Sequence, residues 1–407
     1  MKCRHCETLL KHTFLDLGYA PPSNAYLSPK DLNRPEVFYP LNIKVCDECW
    51  LVQTEDYTDA DALFTSEYAY FSSTSSGWLA HAKCYSEQMT EMLGLDGSSF
   101  VIEVASNDGY LLKNFFETGI PCMGIEPTDS TAEVAERLGI HVLREFFGEF
   151  LGKQLSMDGK RADLIVGNNV YAHVPDINDF TRGLKAALKP SGTITLEFPH
   201  LMNLIGLNQF DTVYHEHFSY LSLFTVNRIF KEAGLRVWNV EELPTHGGSL
   251  RVYGCHNDDP RATDASVDAI LAEEAKRGLL ELQTYLDFQP RADKIKDDLL
   301  AFLIEQKRKG AKVAAYGAAA KGNTLLNYAG VKPDLVSFVC DAAYAKQNKL
   351  MPGSHIPIMA PTLIAEAKPD FIVILPWNIA EEVENQLSFI RDWSGKFVRV
   401  IPEMHVW

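Results

Sequence analysis

Cys3, Cys6, Cys46 and Cys49 form two C-x2-C knuckles with 39 residues between them, and no other feature restricts the fold of this chain as tightly. Each knuckle offers two sulfurs from one tight turn, and four thiolates complete a tetrahedral zinc set with no open position. The expected metal site is therefore structural rather than catalytic. A redox-active C-x2-C is the alternative, but two knuckles flanking one small stretch favour the metal. A core the size of residues 1–70 hardly stands without such a staple. Within it Asp16–Asn24 reads as turn-rich, and Tyr39–Cys46 and Leu51–Gln53 read as short strands. Cys84, Cys122, Cys255 and Cys340 lie among apolar neighbours and read as buried, reduced thiols.

At 407 residues the chain is too long for one ordinary core and suggests two or three domains. Its 46% hydrophobic and 23% charged residues are those of a globular protein. A formal charge of −16 argues against nucleic acid or an anionic membrane as partner, while leaving room for a local basic pocket. No apolar run reaches the roughly 18 residues of a membrane span. The first residues, MKCRHC, lack the apolar core of a secretion signal, so a cytoplasmic location is expected.

From Phe100 onward strand-like and helix-like runs alternate. Phe100–Val104, Cys122–Ile125, His141–Leu143, Asp163–Gly167 and Thr193–Phe198 read as strands, with helices between most of them. That alternation describes a doubly wound parallel sheet, closed by a helix at Phe224–Ala233 and strands at Leu235–Val240 and Gly248–Tyr253. Ligands of such sheets sit beyond the carboxyl ends of the strands. Those ends carry Glu103, Ser106, Asn107, Asp108, Gly109, Glu126, Glu145, Phe146, Asn169 and His173. The loop after the first strand, EVASNDG, has Ala105 where a first glycine is usual. A pyrophosphate cradle is thus disfavoured and a diphosphate-free adenosine ligand such as S-adenosylmethionine is favoured, with Glu126 on the ribose diol.

Residues 264–308 have helical spacing, and Lys312–Tyr316 opens a second, smaller α/β unit with strands at Leu335–Cys340, Phe371–Leu375 and Phe397–Ile401. Its small-residue turn, Gly317–Lys321 leading to Asn323 and Thr324, suits an anion at a helix start, although such turns also serve packing. Lys346, Asn348 and His355 follow the next strand and read as lining the same mouth.

The stretch Phe210–Tyr220, FDTVYHEHFSY, concentrates acid/base groups. If extended, Tyr214 and Glu216 share one face and His215 and His217 the other. If helical, Tyr214 and His217 lie one turn apart and reach the same atom. Either form permits proton transfer near neutral pH. The aromatic stretch Tyr68–Ser76 reads either as a packed linker or as a lid presenting Tyr68 or Tyr70.

Taken together, the knuckles, E-x-x-x-N-D-G at Glu103–Gly109, Gly124-Ile125-Glu126-Pro127, His173-Val174-Pro175, Tyr214-x-Glu216-His217-Phe218, His246-Gly247-Gly248, Tyr316-Gly317-Ala318-x-Ala320-Lys321, Lys346-Gln347-Asn348 and Pro352-Gly353-x-His355 resemble one family along essentially the whole chain. It is that of the sugar C-methyltransferases acting on nucleotide-linked 4-keto-6-deoxy sugars. The resemblance implies a zinc-binding domain (1–70), a class I Rossmann-like S-adenosylmethionine methyltransferase domain (71–257) and a Rossmann-like C-terminal α/β domain (258–407) that helps hold the nucleotide-sugar. It implies a monomer and a base that removes the proton beside the keto group, at C3, so that the enolate takes a methyl. By motif, His217 is that base with Tyr214 and Glu216 beside it. His173 and Tyr70 line the sugar pocket and steady the oxyanion, and His246, Gly247, Gly317, Lys321, Asn323, Lys346, Asn348 and His355 meet the substrate. An O- or N-methyltransferase on a nucleotide-sugar and a non-catalytic zinc-held binding protein remain the alternatives.

Overall fold

The computed structural model of the chain describes residues 1–55, 73 and 76–407. Tyr68 and Tyr70 lie outside them. No helix among the described residues is long and apolar enough to cross a membrane.

The N-terminal sheet is built from β1 (His12–Ala20), β2 (Tyr39–Val45) and β3 (Val52–Thr54), all antiparallel. The segment Asp16–Ala20, which reads as turn in sequence, continues β1 through a bulge at Gly18, whose φ of 72° glycine adopts without strain. A fourth strand comes from far along the chain, Ser219–Tyr220, which pairs antiparallel with β3.

The central layer runs α1 (Ser76–Leu93), β4 (Val101–Val104), α2 (Leu112–Glu117), β5 (Cys122–Ile125), α3 (Asp129–Arg137), β6 (His141–Leu143), α4 (Glu149–Met157), β7 (Ala162–Asn168), α5 (Ile177–Ala187), β8 (Leu188–Pro199), α6 (Leu201–Gly206), β9 (Ser219–Tyr220), α7 (Leu223–Ala233), β10 (Leu235–Leu243) and β11 (Ser249–His256). Its seven strands stand in the order β10-β11-β8-β7-β4-β5-β6, parallel from β8 to β6, with β11 antiparallel to both its neighbours. The strand order reverses between β4 and β7, and a crevice opens at their carboxyl ends. Strand β4 is buried on both faces, as an apolar run between helical layers requires. The Lys189–Gly192 stretch, a break in sequence terms, lies inside β8 as a register shift opposite Ala162–Leu164.

The chain continues as α8 (Ala265–Lys276), α9 (Leu282–Leu286), α10 (Phe288–Arg308), β12 (Val313–Tyr316), α11 (Ala320–Tyr328), β13 (Val339–Cys340), β14 (Ile358–Met359), α12 (Leu363–Ala367), β15 (Phe371–Ile374), α13 (Ala380–Gln386), β16 (Lys396–Arg399) and β17 (His405–Val406). These strands form a sheet in the order β14-β13-β12-β15-β16-β17, parallel except for β17.

One apolar cluster unites the N-terminal sheet (Phe14, Leu41, Ile43), the loop at Phe210–Val213, α10 (Phe288, Leu303) and the last sheet (Val313, Val373). Phe14 stacks on Phe288 at 4.8 Å, and each such buried ring contributes roughly 1.5–3 kcal/mol. The first and last segments are thus held against each other, with the loop carrying Tyr214–His217 between them. Of the four scattered cysteines, Cys255 and Cys340 are buried, Cys122 is half-buried, and Cys84 is exposed on a polar face of α1.

Candidate active site

The four knuckle sulfurs lie within 4.8 Å of one another, with Cys3–Cys49 and Cys6–Cys46 each at 3.5 Å. A disulfide needs about 2.05 Å, whereas thiolates about 2.3 Å from a tetrahedral zinc stand about 3.8 Å apart. The donor set therefore fits zinc. Both knuckles use the same turn: Glu7 N donates to Cys3 O and Trp50 N to Cys46 O, each at 3.0 Å, with Glu7 and Trp50 in the left-handed region. Gln53 Nε2 donates to Cys3 Sγ at 3.2 Å.

A cavity of about 640 Å³ lies at the carboxyl ends of β4, β5 and β7 and extends to the start of α11. Pockets of this size hold drug-sized ligands. The loop after β4 frames one end. Ala105, Asn107 and Gly109 all have positive φ (57°, 49° and 76°), so the backbone keeps a glycine-like path at Ala105. The Glu126 carboxylate pins this loop, accepting from Asn107 N at 3.0 Å and Thr128 N at 2.9 Å. Gly124 lets the loop close down, since a Cβ there would sit 2.3 Å from Ser106 Oγ. Asn107, Glu126, Glu145, Phe146 and Asn169 line the cavity. Glu103, Ser106, Asp108 and Gly109 lie beneath the lining. Gly109 packs on Ala135 and Ile140, and Asp108 Oδ2 accepts from Ser73 N at 3.1 Å. Burial pushes the Glu103 carboxyl well above the usual range, with Asp108 and Glu126 adding to the effect. Glu103 Oε2, Ser106 Oγ, Asp108 Oδ1 and both amide atoms of Asn168 are buried without partners among the described residues. Buried polar atoms seldom go unmatched, and the Asn168 amide, which lines the cavity with Asn107, Glu126 and Asn169, fits the polar edges of an adenosine cofactor such as S-adenosylmethionine.

The opposite wall is the turn Tyr214–His217. His217 N donates to Tyr214 O at 3.0 Å, and the two rings stand 4.0 Å apart, so the helix-like relation of these residues holds within a single turn. His217 Nδ1 donates to Thr212 O at 3.0 Å. A carbonyl only accepts, which fixes the proton on Nδ1 and leaves Nε2 as an acceptor. Burial holds this ring well below the ordinary histidine range, with His173, His246 and Lys321 adding like charge. His173 meets it edge-on at 4.6 Å and is itself pushed down to about 4 by burial. All of Tyr214, Glu216, His217, His173 and His246 line the cavity. His215 turns the other way, its Nε2 donating to Pro40 O at 3.2 Å.

The zinc-bearing segment grips this turn. Asn24 Nδ2 donates to both Glu216 carboxylate oxygens at 2.8 and 3.0 Å, and Thr54 N donates to Phe218 O at 3.1 Å. The last segment closes the far end with Ala319, Ala320, Lys321 and Lys346. Lys321 Nζ donates to Asn378 Oδ1 at 2.7 Å and lies 4.6 Å over the Trp377 ring. Lys346 Nζ donates to Ala318 O at 2.8 Å.

Five residues read as substrate contacts in sequence do not line the cavity. Asn323 is buried with its Nδ2 donating to Ser23 O at 2.7 Å. His355 Nε2 pairs with Glu36 at 2.7 Å, and Asn348 sits at positive φ with its amide bonded to Ile358 O. Gly247 and Gly317 act by lacking a side chain, because a Cβ would meet Trp377 at 2.3 Å or Pro376 at 2.4 Å. Asn168, Asn24 and Trp78 are among the lining residues that went unread. Asn168 lies one place before Asn169, and both line the cavity. Asn24 meets Glu216 across 192 residues, for which sequence carries no signal. Trp78, read only as helical, lies edge-on to His246 at 5.3 Å.

Family models match three stretches: a zinc binding domain over residues 3–64, a methyltransferase domain over 81–240 and a C-methyltransferase C-terminal domain over 244–402. The C-methyltransferase NovU of Streptomyces niveus is 32% identical over 406 residues, spanning 100% of this chain and 96% of NovU. Among solved structures, an S-adenosylmethionine-dependent methyltransferase from Clostridium acetobutylicum covers 43% of this chain and 90% of its own at 8% identity and a TM-score of 0.34. The PH0226 protein of Pyrococcus horikoshii covers 47% and 99% at 13% identity and a TM-score of 0.39. Such faint structural likenesses carry no weight beside the full-length relative. Identity of 32% along the whole length shows that the chain belongs to the C-methyltransferase family, as an S-adenosylmethionine-dependent methyltransferase with a structural zinc.

Proposed function

We propose that the enzyme methylates carbon C3, next to the 4-keto group of a nucleotide-linked 6-deoxy sugar, with His217 as the general base. The observation that carries this reading is the tautomer of His217, whose Nδ1 proton is committed to Thr212 O while the ring lines the cavity. A carbon nucleophile has to be generated, which an amine substrate would not require, and a buried neutral imidazole with an open Nε2 is suited to the task. Bound S-adenosylmethionine supplies a sulfonium methyl as the electrophile. His217 Nε2 takes the proton from the carbon beside the carbonyl, and the electron pair of that C–H bond moves into the enolate. Tyr214 stacks against the ring and holds its plane, while Glu216, fixed by Asn24, holds the turn that carries it. His173, and Tyr70 from the stretch before α1, are proposed to line the sugar pocket.

Glu126 is proposed for the ribose of the cofactor, with Asn107, Glu145, Phe146 and Asn169 around it. Lys346 and the start of α11 are proposed for the nucleotide end, because cations and free amides at a helix start suit phosphate. The proposal includes a monomeric enzyme in a reducing, cytoplasmic compartment, where thiolates stay available to zinc.

The test is turnover with a 13C-methyl-labelled donor and NMR of the product. A methyl carbon bonded to the sugar carbon next to the carbonyl is expected, and none from His217→Gln. A methyl on oxygen or nitrogen would overturn the reading.

A further inference from the structure

The wall where the central and last segments meet holds a second group of donors that the base does not use. His246 lies in the left-handed region (φ 55°, ψ 18°), disfavoured for most residues other than glycine and asparagine, and is followed by Gly247 and Gly248 at φ 89° and 111°. Three consecutive residues in such conformations place the His246 ring edge-on to Trp78 at 5.3 Å and against the cavity. A Cβ on Gly247 would lie 2.3 Å from the Trp377 ring, so Trp377 packs flush on this turn. Lys321 Nζ rests over that indole at 4.6 Å. Asp211 anchors the assembly by accepting from Trp377 Nε1 at 2.8 Å.

Two donors in this arrangement are unspent. His246 Nε2 is buried and has no partner among the described residues. Lys321 carries three N–H groups, and the described residues supply one acceptor, Asn378. Polar atoms fixed at such conformational cost and left unmatched in a cavity mark the place of a ligand atom. With its proton on Nε2 the His246 imidazole donates as the ammonium does, and the atom that both would meet is an acceptor oxygen gaining negative charge. Lys321, His246 and His217 line the same cavity, and the charge of Lys321 adds to what holds both rings below the ordinary histidine range.

We propose that His246 Nε2 and Lys321 Nζ, joined through Trp377, form a two-donor site for the substrate carbonyl oxygen as it becomes an enolate, so that the last segment contributes a catalytic residue. This rests on the carbon-methylation reading above. When His217 takes the proton, the C–H electron pair becomes the C–C double bond and the carbonyl π pair moves onto oxygen, where the two donors meet it. The alternative occupant for Lys321 is the phosphate of the nucleotide.

The test measures deuterium uptake from D2O at the carbon next to the carbonyl, with S-adenosylhomocysteine bound and thymidine-diphosphate-4-keto-6-deoxyglucose as probe. Lys321→Met keeps the stem and removes the charge, Lys321→Arg moves the donors, and His246→Asn withdraws the ring while tolerating the left-handed backbone. Uptake is expected to fall about 100-fold in Lys321→Met and His246→Asn, and less in Lys321→Arg. Affinity for thymidine diphosphate and S-adenosylhomocysteine should change less than about threefold, since the lost donors act at the transition state. Wild-type uptake in both variants would overturn the proposal. So would a loss in Lys321→Met matched by an equal loss of affinity for thymidine diphosphate alone, which would assign Lys321 to phosphate. If His246→Asn fails to fold, as read by zinc content and S-adenosylhomocysteine binding, the two Lys321 variants decide the matter. Absence of uptake by the wild-type enzyme would instead sink the carbon-methylation reading, and this proposal with it.

Discussion

Removing the Asn24 side chain should loosen the turn that carries the proposed base, His217, without disturbing the metal. Asn24 belongs to the zinc-bearing segment, and its amide bridges both oxygens of Glu216, a residue only 2% exposed. A hydrogen bond to a buried charge contributes about 1.5–3 kcal/mol. That is an upper limit for the hold on the turn, because the pairing of β3 with β9 ties down the residues that follow it. If the whole amount appears as misplacement of His217, kcat falls by about 10- to 150-fold in Asn24→Ala, at about 1.4 kcal/mol per tenfold. Asn24→Asp should be worse, since it sets a second carboxylate against Glu216. Asn24 is not a ligand of the knuckles, so zinc content should stay at the wild-type level. The assay pairs methyl-transfer kinetics with hydrogen exchange of the peptide 210–220, where the His217 amide, bonded to Tyr214 O, reports the turn. Faster exchange together with lower kcat is the expected pair. Wild-type exchange and wild-type kcat in both variants would refute the idea that the zinc-bearing segment positions the base.

Further outcomes follow from single features. The folded-state value of His217 is depressed, so the unfolded chain binds this proton more readily. Its contribution to stability is present above about 6.5 and lost as pH falls. The acid limb of kcat/KM should accordingly lie below pH 6.5, and that of kcat should move up as an anionic substrate offsets the charge of Lys321. An acid limb at or above 6.5 in kcat/KM would contradict the buried, neutral base. Ala105 sits at φ 57°, so Ala105→Gly should leave thermal stability unchanged or raised, within about 1 kcal/mol, and keep cofactor affinity by calorimetry. Ala105→Val should lose stability. Gly247→Ala forces a Cβ to 2.3 Å from Trp377 and should cost about 1–3 kcal/mol by thermal unfolding, with activity falling as the two sides of the cavity part.

What sequence could reveal divides along physical lines. The parallel sheet was legible because its strands are short apolar runs between helical stretches, a pattern set by each strand's own burial. The zinc site was legible because both ligand pairs are local. Strand β1 was not, since Gly18 and the polar residues around it read as a turn until a bulge carries them along β2. The 12-residue β8 was drawn too short for a similar reason: Pro190 and Gly192 break the pattern without ending the strand. The aromatic–histidine turn suggested proton transfer in sequence, but only the carbonyl of Thr212 determines which ring nitrogen is the acceptor. His355 was read as a ligand contact from its place after a strand, and both it and Asn323 from the family resemblance. Their partners, Glu36 and Ser23, lie 319 and 300 residues away and claim them for holding the first and last segments together.

The most direct measurement follows the hydrogen itself. A nucleotide-linked 4-keto sugar is incubated in D2O with enzyme and no methyl donor, and the sugar is read by NMR. Deuterium should enter at C3 alone, as fast as or faster than methylation, and His217→Gln should take up none while still binding S-adenosylhomocysteine. Undiminished deuterium uptake in His217→Gln would contradict the account.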